Sequence, residues 1–147
     1  MVPVNWRREA EQFLQQPVDC GIGKQVLAPH NMTDAIDRII DSFPPSQQDQ
    51  IRLQLSGSLA GIFSQRLIPR VSGGLVPAYE LLINNSAVAN LIRERRIHEV
   101  PMVIETGSEL GMIDMNRSLA DLVRAGEISA ENAYLHSSNP RSLERMI

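Results

Sequence analysis

The stretch FSQRLIPRVSGGLVPAYELLIN, residues 63–84, sets the strongest limit on what this chain can fold into. Two apolar runs rich in strand-forming residues flank Ser72-Gly73-Gly74, the pattern of two antiparallel strands joined by a short glycine turn. A proline donates no hydrogen bond to a ladder, so Pro69 and Pro77 make this an edge or irregular hairpin. The rest of the chain reads as helices placed before and after it.

Upstream, residues 34–43 put Ala35, Ile36, Ile39 and Ile40 on one side of a helix, capped by Thr33 and ended by Pro44-Pro45. Ser46, with Asp49 three residues on, resembles a capping box. It opens a second helix in which Ile51, Leu55, Leu59 and Ile62 recur at steps of four, four and three. Downstream, helices are expected over 87–96, 101–110 and 112–125, the last with a stripe of Met115, Leu119, Leu122 and Val123 and a stop at Gly126. Shorter helices over 129–136 and 142–147 are separated by Asn139-Pro140. Nearer the start, Trp6, Ala10, Phe13 and Leu14 fit one face of a helix over 5–16 that Pro17 would stop, and Val26-Leu27 fits a short strand. The expected architecture is a two-strand hairpin between helices, followed by three to five short C-terminal helices.

Composition narrows the function classes. At 147 residues there is room for one domain or for a piece of a larger one. Only 4% of residues are aromatic against 43% hydrophobic, so the core must be mainly aliphatic. A formal net charge of −3 gives no basic field and argues against nucleic acid as the main partner. The one cysteine, Cys20, can form no internal disulfide, and no Cys/His cluster has metal-ligand spacing. Charges near the N-terminus and the lack of an apolar run of membrane-spanning length point to a cytoplasmic protein without a direct membrane span.

The motif CGIGKQ, residues 20–25, ends like a phosphate-binding loop. A full loop needs an opening glycine where Val18 stands and a hydroxyl where Gln25 stands. It also needs a helix directly after the lysine, whereas Gln25-Val26-Leu27-Ala28-Pro29 is short, apolar and closed by proline. Gly23-Lys24 therefore reads as the start of a strand.

Three stretches carry a resemblance: FPPSQQDQIRLQLSGSLAGIFSQRLIPR (43–70), AVANLIRERRIHEVP (87–101) and MIDMNRSLADLVRAGEIS (112–129). Together they resemble the C-terminal part of the type II/IV secretion ATPase family, in its twitching-motility, pilus-retraction branch. That family's helix after a double proline reads QQ-x-Q-I-R-x-x-L and is followed by SQRL, matched here by Gln47, Gln48, Gln50, Ile51, Arg52, Leu55 and Ser64-Gln65-Arg66-Leu67. The branch's string AIRNLIRE agrees with AVANLIRE, residues 87–94, in six of eight letters. Gly23 to Asn31 stand where the family has a strand leading to its histidine box, and Ala35-Ile36-Asp37-Arg38-Ile39-Ile40-Asp41 follows as in the family. Here proline precedes the box histidine, and the strand and the link to the helix are shorter. Of residues 26–147, which correspond to the family's C-terminal part, those from 26 to about 124 match well and the rest more weakly; residues 1–25 match poorly.

The resemblance implies an α/β P-loop motor fragment: the mainly helical C-terminal half of a RecA-like ATPase domain, with one β-hairpin and a C-terminal group of short helices. In the intact family the motor is a homo-hexamer that uses ATP and Mg²⁺ to disassemble type IV pilus fibres. Its partners are other motor subunits and the pilus machinery of the inner membrane, which would place this chain in the cytoplasm, peripheral at the membrane's inner face. The family's phosphate loop, catalytic glutamate and Walker B segment precede the histidine box, and none is read in this sequence. No catalytic residue, metal or cofactor is therefore expected for this chain alone.

For individual residues the functional and the plain readings stand side by side. His30 is a nucleotide-sensing candidate or a loop histidine beside a helix start. Asn90, Leu91, Ile92, Arg93 and Glu94 are candidates for an output or interaction surface; the plain reading is a short amphipathic helix with Leu91 and Ile92 in a core and a solvated face of Arg93, Glu94, Arg95 and Arg96. Arg66 and Arg70 are candidates for a nucleotide or subunit contact or are exposed strand arginines. Glu105 and Glu109 look like a helical carboxylate pair without a histidine, and Ser64, Ser108 and His98 offer no nucleophile spacing. Two functions stay open: the output portion of a retraction ATPase, or a non-catalytic module that docks on an intact motor. The incomplete phosphate loop generates an expected outcome: the purified chain shows no Mg²⁺-dependent ATP hydrolysis above background in a phosphate-release assay. Turnover that disappears in Lys24→Ala would overturn the reading of Gly23-Lys24 as a strand start.

Overall fold

In a computed structural model that describes residues 32–147, the two apolar runs form β1 (Gly61–Pro69) and β2 (Leu75–Ile83). They pair antiparallel without interruption, from Gly61 opposite Ile83 to Pro69 opposite Leu75. At the turn, Arg70 N–H donates to the Gly74 carbonyl at 3.0 Å, and Gly73 (φ +92°) and Gly74 (φ +78°) take left-handed conformations that a side chain disfavours. The expected helix over 5–16, the Val26-Leu27 strand and His30 lie outside the described residues.

The pleat divides the hairpin by parity. Ile62, Ser64, Arg66 and Ile68 of β1 face inward with Val76, Ala78, Glu80 and Leu82 of β2, while Phe63, Leu67 and Leu75 are exposed. On that outer face the Phe63 and Tyr79 rings stack with centroids 5.5 Å apart. The outer edge of β2 is partly closed. Leu81 and Ile113 exchange two backbone hydrogen bonds, of 2.8 and 3.1 Å, and Tyr79 N–H donates to Ser118 Oγ at 3.0 Å.

Helix α1 (Met32–Asp41) buries Met32, Ile36 and Ile40, but Ile39 is left largely exposed. Thr33 is already helical, not the cap. Helix α2 (Pro45–Ser58) starts without a side-chain cap: Pro45 at the first position has no N–H to satisfy and is set for helical φ, so Ser46 has no capping role. It also stops short of Ile62. The Ser56 and Ser58 hydroxyls donate back to the Leu53 and Gln54 carbonyls, and Asn84 Nδ2 donates to the Ser56 and Leu59 carbonyls at 3.0 and 2.8 Å. With those carbonyls satisfied, the chain turns at Leu59-Ala60 and Ile62 joins β1 opposite Leu82.

Beyond β2 come α3 (Ser86–Arg93), α4 (Val100–Thr106), α5 (Met115–Arg124), α6 (Ala130–His136) and α7 (Pro140–Glu144). Single 3-10 turns, Ile97–Glu99 and Ser108–Leu110, flank α4. The expected helix over 112–125 begins later, because Asp114 Oδ1 caps it by accepting from Arg117 N–H at 3.0 Å and Ile113 is extended against β2. Its end falls where expected: Gly126 (φ +70°) donates to the Val123 carbonyl and Glu127 to that of Leu122.

Two apolar clusters form, each on one end of the same sheet face. Leu82 belongs to the first, with Met32, Ile36, Ile40, Val88, Ile92, Ile97, Val100, Ile104 and Met112. Ile68, Val76 and Ala78 belong to the second, with Met115, Leu119, Ala120, Ile128, Ala133 and Leu143. Between them on the sheet lie Ser64, Arg66 and Glu80. Two glycines test the tightness of this frame. A Cβ at Gly61 would sit 2.6 Å from the Leu82 carbonyl oxygen, whereas one at Gly57, inside α2, meets nothing within 4 Å. Gly61→Ala is expected to cost about 1–3 kcal/mol by overpacking, and Gly57→Ala to gain about 0.5–1 kcal/mol from helix propensity. Urea titrations of both variants read the contrast directly.

Candidate functional site

Residues 87–93 fall on α3 and Glu94 is its C-cap; the start is fixed by Asn85 Oδ1 accepting from Val88 N–H at 3.0 Å. Val88 and Ile92 are fully buried and Leu91 is half-buried against the same cluster. Asn90, Arg93 and Glu94 are exposed. Arg93 donates to Asn90 Oδ1. The helix closes in a Schellman arrangement: Arg95 N–H donates to the Ile92 carbonyl at 3.4 Å and Arg96 N–H to that of Leu91 at 2.9 Å. The left-handed position is occupied by Arg95 (φ +60°), where glycine is the usual residue. A side chain there costs roughly 1–2 kcal/mol.

Charges beyond the helix end form a network. Arg95 reaches across to Asp49 of α2. Arg96 holds both Glu99 oxygens at 2.7 Å and Glu94 at 3.0 Å. Those hydrogen bonds keep the Glu99 carboxyl below the usual carboxylate range and the Arg96 guanidinium protonated. Asp49, Arg52, Leu53, Arg93 and Arg95 line a depression of about 270 Å³.

The hairpin arginines occupy a different part of the molecule. Arg66 Nη1 donates to the His136 carbonyl at 2.7 Å, closing the end of α6, and Arg70 Nε pairs with Glu127 Oε2 at 2.8 Å beside a Val71 N–H to Glu127 carbonyl bond of 2.9 Å. Both arginines thus tie the hairpin to the C-terminal helices and are not brought together with α3. Glu105 and Glu109 do not share one helix, because α4 ends at Thr106 and Glu109 sits in the following 3-10 turn.

One residue was missed by sequence reasoning. Glu80 is only 9% exposed, and its Oε1 is buried without a hydrogen-bond partner. It lines a cavity of about 240 Å³ with Thr33, Glu105, Asp114, Asn116 and Asn139. Burial raises its pKa, with Asp114 adding to the rise; Arg66, the Ser64 hydroxyl and the Met32 backbone oppose it. The signal was present in β2, where a carboxylate interrupts the inward series Val76, Ala78, Leu82. Among the described residues no group of three or more His, Cys, Asp or Glu is placed to hold a metal ion, and no helix is long and apolar enough to cross a membrane.

No protein-family model matches the chain. Among curated proteins it is 42% identical over 109 residues to a twitching motility protein of Neisseria gonorrhoeae, covering 74% of this chain and 29% of that protein. It is 43% identical over 107 residues to the type IV pilus retraction ATPase PilT of Pseudomonas aeruginosa, covering 73% of this chain and 31% of the relative. The crystal structure of the pilus retraction motor PilT with bound ADP superposes with a TM-score of 0.67 at 45% identity, over 77% of this chain and 31% of that one. The chain is homologous to the C-terminal part of the pilus-retraction ATPases. It spans about three tenths of the length of these curated relatives. The hairpin and helices of this retraction-ATPase homologue therefore have the fold of the C-terminal part of a RecA-like motor domain.

Glu80 gives that fold a pH dependence. Its folded pKa lies above the ordinary value of 4.5, so protonation favours the folded state: the contribution is complete below the unfolded pKa and is lost as pH rises through the folded one. Wild-type protein should lose stability relative to Glu80→Gln as pH rises from about 4.5 into the neutral range. Paired urea titrations across that range check it, and a constant difference would remove Glu80 as the source.

Proposed function

We propose that this chain supplies the output part of a pilus-retraction ATPase, with α3 passing the motor's conformational change to the pilus machinery. In this reading it acts at the cytoplasmic face of the inner membrane, assembled with other motor subunits. ATP and Mg²⁺ serve the intact motor, and His30 relays the state of the nucleotide. The single observation that carries the proposal is the division of α3. Val88 and Ile92 anchor it in the first apolar cluster, while Asn90, Arg93 and Glu94 stay in solvent. A helix fixed from below and polar above transmits motion as a rigid lever without giving up its own packing.

The hairpin arginines support the same division of labour. Arg66 and Arg70 join the sheet to α6 and to the end of α5, so a displacement of the hairpin is passed to the C-terminal helices. A nucleotide or subunit contact by these two residues would have to be made in addition to those bonds.

Transplanting residues 43–147 into an intact retraction motor tests the proposal, and the chimera is expected to retract pili. Within it, Ile92→Ala should cost about 2–5 kcal/mol of stability because the side chain is fully buried. The double change Arg93→Ala and Glu94→Ala should alter stability by no more than about 1 kcal/mol and still impair twitching. Wild-type twitching by that double variant, in a stable hexamer, would reduce α3 to a core helix.

A further inference from the structure

We infer that the depression between α2 and the end of α3 is a docking site for an acidic side chain of a protein partner, presented beside an apolar one. The inference rests on the reading of α3 as an output surface and names the chemistry that surface takes.

Charge is the first support. The depression is lined by three arginines, Arg52, Arg93 and Arg95, and one acid, Asp49. Asp49 is taken by Arg95, Arg93 donates to the neutral Asn90 side chain, and Arg52 acts on Asp37 of α1 from beyond ion-pair distance. The lining itself holds three positive charges against one negative, in a chain whose net charge is −3. The second support is Arg95. A left-handed helix terminus favours glycine, yet an arginine is held there, its guanidinium fixed on the rim by Asp49.

The helix end favours a carboxylate over a phosphate. A guanidinium's paired N–H groups match either anion in two parallel hydrogen bonds, but α3 presents its C-terminal end here, whose partial negative charge opposes a doubly charged phosphate more than a singly charged carboxylate. Leu53, 61% exposed, completes the lining and gives an apolar neighbour to the charged contact. An acidic residue next to an apolar one on a partner's helix fits both halves of the site.

Fluorescence anisotropy on the full chain tests this, with a labelled helical peptide in which glutamates flank leucine and the same peptide with glutamine in their place. The glutamate peptide should bind about tenfold more tightly. Arg52→Gln and Arg93→Gln should each remove that preference with the melting curve unchanged. Arg117→Gln, which neutralises an exposed arginine on α5, should keep it. Equal binding of the two peptides, retention of the preference in both depression variants, or its equal loss in Arg117→Gln would overturn the proposal. So would competition by inorganic phosphate or phosphatidylglycerol vesicles through the same arginines without selectivity for glutamate. Selective peptide binding with an inactive chimera would retain the site and remove the output reading; the reverse result would do the opposite.

Discussion

The register of β1 on β2 decides where every other contact can form. Side chains alternate across a strand, so a shift by one residue would turn Ile62, Ile68, Val76 and Leu82 outward together and leave both apolar clusters without a floor. The frame is locked at both ends by different means. At the open end the Leu82 carbonyl oxygen lies 2.6 Å from where a Cβ on Gly61 would be, and Asn84 ties the sheet to the end of α2. At the turn, two left-handed glycines and the link from Val71 and Arg70 to Glu127 hold the strands to the end of α5.

A single sheet face serving two clusters needs something between them, and here it is polar. Ser64, Arg66 and Glu80 occupy the middle of the face, with Arg66 reaching the end of α6. Apolar side chains at these places would merge the clusters into one continuous core. The polar middle keeps the part around α1, α3 and α4 distinct from the part around α5, α6 and α7. It also leaves a carboxylate oxygen buried and unpaired, a local cost that a homogeneous core would avoid.

Much of the element pattern was legible because it rests on local chemistry. The glycine turn, the double-proline stop before α2 and the Gly126 terminus act through φ and the missing proline N–H, which neighbours seldom overrule. The misplacements have the opposite character. Ile62 continues the helical spacing of Leu55 and Leu59, yet Asn84, distant in sequence, satisfies the carbonyls at the end of α2 and releases the chain into β1. Residues 112–114 read as the first turn of the following helix, but Ile113 finds backbone partners on Leu81. Thr33 and Ser46 are good capping residues in places where the helix had already begun.

The site followed the same rule. The sequence by itself determined an amphipathic helix from residue 87 with Leu91 and Ile92 inward and Arg93 outward, because a period of 3.6 residues needs no partner to be read; it carried that helix to Arg96, whereas the structure ends it at Arg93. It also carried the resemblance that the relatives' identity supports. Only the tertiary structure decided that Arg52 and Asp49 stand beside Arg93 and Arg95, that Arg66 and Arg70 bond to His136 and Glu127, and that Glu80 is buried. Each of those facts joins residues far apart along the chain. Side-chain type fixes what a group can bond to, but the pairing is set by which helices the sheet face brings together.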